Sequence, residues 1–249
     1  MDEKELIKKR FCELAEKSYN NSEYTFTDFC SQGDLSLFNE ISSQFGYVPY
    51  SFFGGYDGCE RVIIRFGSKE LLGYDIDFPI QCIKAAPINA KFSDNLNHRD
   101  YLGAIMNLGI KRSLIGDIAV IDNDAYIFAR NSIAPYIIQN LQKVKHTSVK
   151  CTICEKLPQN LTGEKKKVNV QVSSLRCDVM CAAVYKLSRS QSAKLFEAER
   201  VFINDRICTS DSYIVKPYDK VTVRGRGRFI FLGVTAKTKK SNLIIEVLV

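Results

Sequence analysis

No stretch of this 249-residue chain approaches the ~20 consecutive apolar residues that a membrane span requires. The opening run MDEKELIKKRFCELAEK is charged and amphipathic. It has neither an apolar centre nor a small-residue cleavage site, so no secretory signal is expected and the chain reads as cytoplasmic. The nine cysteines are odd in number and scattered. They lack the spacing of a disulfide scaffold and, in a reducing compartment, read as small buried hydrophobes. No internal repeat is present. What remains is an ordinary globular composition, 45% hydrophobic and 25% charged, on a chain long enough for one large core or two to three small ones.

Positive charge is unevenly placed along that chain. Residues 165–249 hold 17 Lys/Arg against 7 Asp/Glu, whereas residues 1–164 hold 18 against 21. The formal net charge of +7 therefore hides a mildly acidic body joined to a strongly basic tail. Phosphates reward clustered cations through counterion release, so the tail reads as a nucleic-acid footprint rather than as a solvated face.

Helical spacing of Leu6, Ile7, Phe11, Leu14 and Ala15 predicts an opening helix. Phe38, Ile41 and Phe45 predict a second, with Asp34 as its N-cap. YSFFGGYDGCERVIIRFG reads as two strands about a Gly-rich turn. The rhythm then becomes β-α-β-β-α-β. FPIQCIKAA is a strand, and HRDYLGAIMNLG a helix stopped by Gly109. DIAVID and AYIFAR are strands about an Asn123-Asp124 turn. SIAPYIIQNLQKV is a helix capped by Asn131 or Ser132 with Pro135 in its first turn, and TSVKCTIC a closing strand. This is the split βαβ pattern of a ferredoxin-like or RNA-recognition-like sheet. Tyr126 and Phe128 fall on a strand where such sheets place stacking aromatics, and base stacking and core packing both stay open for them. Beyond a polar, Lys-rich linker come a strand, two helices and several strands. Ser188 and Gln191 form a capping box, and a final hairpin turns at KTKKSN. The expected fold class is α+β: an N-terminal helix and hairpin region at 1–75, a middle ferredoxin-like (βαββαβ) domain at 76–155, a linker at 156–167, and a basic domain with a β extension at 168–249.

The stretch Leu175–Arg228 carries a recognisable set of motifs. Arg176-Cys177-Asp178 opens a helix and Ser188-Arg189 opens the next. Glu199-Arg200-Val201-Phe202-Ile203-Asn204 forms a strand, and Tyr218-Asp219 precedes the last one. In this it resembles the S-four RNA-binding module, with Glu199 and Tyr218 at two positions that are usually glycine. FFGGYDGCER, HRDYLGAIMNLGIKRSLIGDI and VRGRGRF extend the likeness over most of the chain, to the YlmH family of bacterial S-four proteins. The resemblance implies a C-terminal S-four module and a ribosome-associated factor in translation quality control or rescue. Its implied partner is structured rRNA, or tRNA on the large ribosomal subunit. A monomer without membrane association or DNA specificity is expected.

The residues themselves suggest where RNA would lie. Arg176, Arg189 and Lys194 are expected on one ridge of the helix pair, with Lys186, Ser188 and Gln191 beside them. Arg200, Asn204, Arg224, Arg226 and Arg228 would extend the patch along the strands. Arg can grip phosphate bidentately or stack on a base, whereas Lys acts as a point charge. Gly225 and Gly227 alternate with the arginines and allow either a close backbone approach or a plain turn.

Other motifs point to chemistry less well. His98-Arg99-Asp100 has Ile105 where a kinase catalytic loop has Asn, and no Gly-rich ATP loop precedes it. Arg99-Asp100 also lacks the Leu of the pseudouridine-synthase Arg-Leu-Asp motif, so a helix start is expected there. The GGYDG loop, Gly54 to Gly58, fits neither Rossmann nor P-loop spacing and reads as a tight turn. Cys151-x-x-Cys154 lies on an alternating strand and Cys177-x-x-x-Cys181 on a helix, neither of them a zinc knuckle. No catalytic residue, metal or cofactor is expected. The alternatives are an RNA-modifying enzyme, pseudouridine-synthase-like, and a basic interaction scaffold.

Overall fold

A computed structural model of the chain describes residues 2–89, 93–158, 161, 166–239 and 241–249. Much of the linker expected at 156–167 lies outside the described residues. The chain folds as two compact units, Met1–Ser31 with Ile41–Gly163 and Gln32–Glu40 with Glu164–Val249. The architecture is mixed α and β with antiparallel sheets in both units. Among the described residues no helix is long and apolar enough to cross a membrane.

In the first unit, α1 (Glu3–Asn21) buries Phe11, Leu14 and Ala15 of the stripe its spacing predicts, while Leu6 is exposed and Ile7 half-buried in the first turns. β1 (Thr25–Phe26) follows, then α2 (Gln32–Ile41), whose residues 32–40 belong to the second unit. β2 (Tyr50–Phe53) and β3 (Ile63–Phe66) are the two strands expected about the Gly-rich turn, and the sheet order is β1-β3-β2. α3 (Lys69–Leu72) is a single turn capped by Ser68.

Next come β4 (Ile80–Pro87), α4 (His98–Asn107), β5 (Ile115–Ile121), β6 (Asp124–Arg130), α5 (Ala134–Asn140), β7 (Lys143–Val144) and β8 (Thr147–Ile153). They build one antiparallel sheet in the order β5-β6-β4-β8-β7. The β5–β6 turn uses Asp122 and Asn123, both at positive φ, because Ile121 pairs with Asp124. That is one residue earlier than the Asn123-Asp124 turn expected. α5 stops at Asn140 rather than running on to Val144, whose backbone joins β7. Its N-cap is Ile133, without a side-chain bond, and not Asn131 or Ser132.

This five-stranded sheet is covered on both faces. Tyr101 and Ile105 of α4 and Ile137 of α5 pack on Ile83, Ile127 and Ala129. On the opposite face Cys82, Tyr126 and Phe128 pack with Phe29, Ile63 and Leu161. β6 is consequently buried from Ala125 through Ala129.

The second unit contains β9 (Lys167–Val172), α6 (Cys177–Val184), α7 (Arg189–Glu197), β10 (Val201–Ile203), β11 (Arg206–Ile207), β12 (Lys220–Val223), β13 (Gly227–Lys237) and β14 (Leu243–Leu248). Its sheet runs β11-β10-β12-β13-β14-β9. Met180 and Cys181 of α6 and Leu195 and Phe196 of α7 bury against Val221, Val223, Phe229 and Phe231. At the β11 edge, the Ile207 amide donates to Ser36 Oγ of α2 at 3.1 Å. Leu35, Leu37 and Phe38 of that helix are buried. α2 begins two residues before Asp34, so Asp34 sits inside the first turn and is not the N-cap.

Candidate nucleic-acid interface

Grouped by folded unit, the charge asymmetry persists. The second unit holds 17 Lys/Arg against 10 Asp/Glu, while the first holds 18 of each. Uncompensated cations that face solvent in the second unit are therefore the place to look for a phosphate-binding surface.

The helix pair is built by local capping. Ser188 Oγ accepts from the Gln191 amide at 3.2 Å, and Gln191 Oε1 accepts from the Ser188 amide at 2.9 Å. This is the capping box read from the sequence, and it engages both residues in starting α7. Ser192 Oγ donates to the Asp178 carbonyl at 2.8 Å, bringing the first turns of α7 to the N-terminal end of α6. Arg176 caps that end. Its guanidinium is held by Asp178, Nε–Oδ1 3.0 Å and Nη2–Oδ2 3.2 Å, and reaches Asp211 at 3.5 Å. The hydrogen bonds to Asp178 raise its pKa further. Arg176 is thus a satisfied cation that organises the helix start. Arg189 and Lys194 on α7, and Lys186 at positive φ after α6, are exposed and form no ion pair with the described residues.

The strands contribute a second group. β12 and β13 join through a three-residue turn, Arg224-Gly225-Arg226, because Val223 pairs with Gly227. The Arg224 amide donates to the Arg200 carbonyl at 2.8 Å, placing Arg200 beside the turn. A Cβ on Gly225, at φ +83°, would come within 3.1 Å of Arg200 Nη2. Arg200, Arg224 and Arg226 are therefore brought together at one end of the sheet, all exposed. Arg228 lies on β13 opposite Thr222 and is half-buried. Asn204 sits at the other end of β12. Its Nδ2 donates to Asp219 at 2.7 Å and its Oδ1 accepts from the Lys220 amide at 2.9 Å. It holds a turn with Asp205, both at positive φ.

The two positions where glycine is usual have a physical explanation. Glu199 sits at φ +50° and Tyr218 at φ +69°, in the left-handed region that only glycine adopts without cost. Backbone geometry calls for glycine at both.

Cations of the first unit are used differently. Arg61 donates to the carbonyls of Ile115 at 3.0 Å and Phe29 at 2.7 Å. Arg130 donates to the Thr27 carbonyl at 3.2 Å, and Arg112 to those of Ile115 and Gly116. Burial, with Arg61 nearby, lowers the Arg112 pKa to about 10. Asp117 accepts from Tyr56 Oη at 2.9 Å and from the Glu60 and Arg61 amides at 2.6 and 3.2 Å. Burial and then Asp117 push the Tyr56 phenol well above its usual range, and the Cys59 thiol up to about 11. The GGYDG loop is pinned by this network. A Cβ on Gly55, at φ +108°, would lie 2.2 Å from the Phe128 ring. Tyr126 and Phe128, 8% and 1% exposed, are closed to base stacking because this loop and Phe29 cover their face. Sequence alternation alone does not reveal that second layer.

His98-Arg99-Asp100 is a helix start. Asn97 Oδ1 accepts from the Arg99 and Asp100 amides, and Asp100 Oδ2 returns the bond from the Asn97 amide at 3.0 Å. Lys145, 2.8 Å away, lowers the Asp100 pKa chiefly through its hydrogen bond. Cys151 lies on β8 with its Sγ 3.4 Å from the Leu141 carbonyl. Cys177 and Cys181 are core residues of the second unit, their sulfurs 4.0 Å apart. Among the described residues no group of three or more His, Cys, Asp or Glu could hold a metal.

Comparison with known proteins bears on this arrangement. Residues 75–157 match the family described as "Putative RNA-binding domain in YlmH". The chain is 28% identical over 218 residues to the Ribosome-associated protein quality control protein P2 of Bacillus subtilis (strain 168), covering 86% of this chain and 82% of that protein. The solved structure of the Cell division protein ylmH from Streptococcus pneumoniae aligns with a TM-score of 0.49 and 22% identity over 62% of this chain and 92% of that one. Residues 75–157 thus match the domain family named for YlmH, and the likeness to the B. subtilis protein extends along most of the chain.

Proposed function

We propose that this protein is a non-catalytic RNA-binding factor of the cytoplasm. It binds structured ribosomal RNA, or tRNA on the large subunit, through an S-four module in its second unit. The observation that carries this is the cluster of Arg200, Arg224 and Arg226 at one sheet end, in a unit with 17 cations against 10 carboxylates. Arg189 and Lys194 add exposed cations on α7. Few aromatics accompany these arginines, which suits recognition of folded RNA by shape and phosphate. The likeness to the Ribosome-associated protein quality control protein P2 of B. subtilis supports a ribosomal setting in protein quality control. The order of the first unit's sheet, β8-β4-β6-β5 with β7 appended, supports a ferredoxin-like description of that part.

The test is binding of the full-length chain to large ribosomal subunits as salt is varied. Arg200→Glu/Arg224→Glu should weaken binding and flatten the slope of log affinity against log salt. A second reading, in which the 75–157 region reads the RNA, is favoured by the description of its matching family. Lys143 and Lys150 are exposed there. Lys143→Glu/Lys150→Glu should leave affinity unchanged. If that variant loses binding while the arginine variant keeps it, the second reading replaces the first.

A further inference from the structure

β13 is an 11-residue strand of the basic unit that leads into a second cationic turn. Gly227 pairs with Val223 at one end and Lys237 with Leu243 at the other. Ten strand steps of about 3.3 Å put the two turns roughly 30 Å apart once bulges are allowed for. One register shift falls between Phe231 and Gly233 and another between Val234 and Ala236. The last four residues of the strand, 234–237, are all exposed, whereas Ile245 and Leu243, their partners on β14, pack in and against the core. Hydrogen bonds join the described residues on either side of its turn. The Thr238 amide donates to the Asn242 carbonyl at 2.8 Å, and the Ser241 amide to the Thr238 carbonyl at 2.9 Å. The Asn242 amide also donates to Thr238 Oγ1 at 3.1 Å.

The charge on this strand and its turns has one sign. Residues 220–245 hold seven Lys/Arg and no Asp or Glu. The next carboxylate, Glu246, pairs with Lys167 at 3.4 Å. Lys237 and Lys239 are exposed and make no ion pair with the described residues. No aromatic side chain occurs from Leu232 to Asn242. Protein interfaces favour aromatic and Arg anchors and are depleted of Lys, whereas an exposed ammonium is a point charge suited to phosphate. We infer that the β13–β14 turn is a second RNA-backbone contact, roughly 30 Å along β13 from the Arg224–Arg226 turn. This rests on the RNA-binding reading of the second unit. It narrows the ligand to structured RNA that presents phosphates at both ends of that span, and excludes a loop of a few nucleotides as the whole site.

The test compares Lys237→Gln/Lys239→Gln with Arg200→Gln/Arg224→Gln in the full chain. Three probes are used: protein-free ribosomal RNA, large ribosomal subunits, and a short stem–loop that cannot reach both turns. Thermal unfolding checks that each variant stays folded. The lysine variant should bind ribosomal RNA roughly tenfold more weakly, with a salt slope lower by about 2, and should bind the short stem–loop as wild type does. Unchanged affinity and slope for ribosomal RNA, while the arginine variant weakens, would overturn the inference and leave the RNA-binding reading standing. Weaker binding to subunits but not to protein-free RNA would assign the turn to a ribosomal protein and also overturn it. If neither variant alters any binding, the reading of the second unit falls, and this inference with it.

Discussion

Two sets of arginines, one in each unit, are used in opposite ways. In the first, Arg61, Arg112 and Arg130 turn inward and donate to backbone carbonyls, knitting the loop around Phe29 to the five-stranded sheet. In the second, Arg200, Arg224 and Arg226 face water around Gly225 and its turn, and Arg189 faces water at the start of α7. The same side chain is mortar in one and an exposed cation in the other. Net charge alone cannot separate these uses. A buried guanidinium must find acceptors for its donors, while an exposed one stays available to a phosphate.

The largest expected effect probes the closed unit. Gly55→Ala combines a positive φ with a clash on Phe128, and should destabilise the protein by about 3 kcal/mol. Urea unfolding measures it. Where the variant is still folded, RNA affinity should be normal, and lost affinity would move the reader into the first unit. Next is Arg200→Glu/Arg224→Glu, expected to cut subunit affinity about thirtyfold without changing the unfolding midpoint. Filter binding at two salt concentrations shows whether the loss is electrostatic. Arg176→Gln should weaken RNA binding less than Arg189→Gln, since Asp178 already occupies the Arg176 guanidinium. Equal losses from the two would mean that RNA displaces Asp178.

Smaller still is Asn204→Ala, which removes the bonds to Asp219 and to the Lys220 amide. It should cost roughly 1–2 kcal/mol of stability and leave the affinity of the folded protein alone. The smallest change is a gain. Glu199→Gly relieves a left-handed glutamate and removes a carboxylate next to Arg200, so stability should rise by about 1 kcal/mol and affinity a few-fold. A calorimetric melt that falls instead would show that the Glu199 side chain holds something in place.

Where hydrophobic period was long and regular, the sequence disclosed the structure. The Phe11, Leu14 and Ala15 stripe of α1, the helix start at His98-Arg99-Asp100, the capping box at Ser188 and the alternation of β8 follow from local rules. Two-residue strands such as β1, β7 and β11 carry no such period, and neighbouring strands create them. Burial on the far side of β6 depends on Phe29 and Ile63, which are remote in sequence, so the fate of Tyr126 and Phe128 was not written locally. Among candidate site residues, cation identity was legible but occupancy was not. Arg176 and Asn204 look like Arg189 in a string of letters, and only geometry shows their partners.

Helix α2 carries a consequence for how the chain is made. Its residues 32–40 complete a unit whose other part is residues 164–249. A ribosome adding about 5–20 residues per second finishes that part some 10–40 s after α2 has been synthesised. Through that interval Ser36 Oγ lacks the Ile207 amide that it accepts from in the finished fold. The earliest-made piece of the basic unit must therefore wait for the last. Until residues 164–249 are made, most of helix α2 has not met the rest of the unit it belongs to.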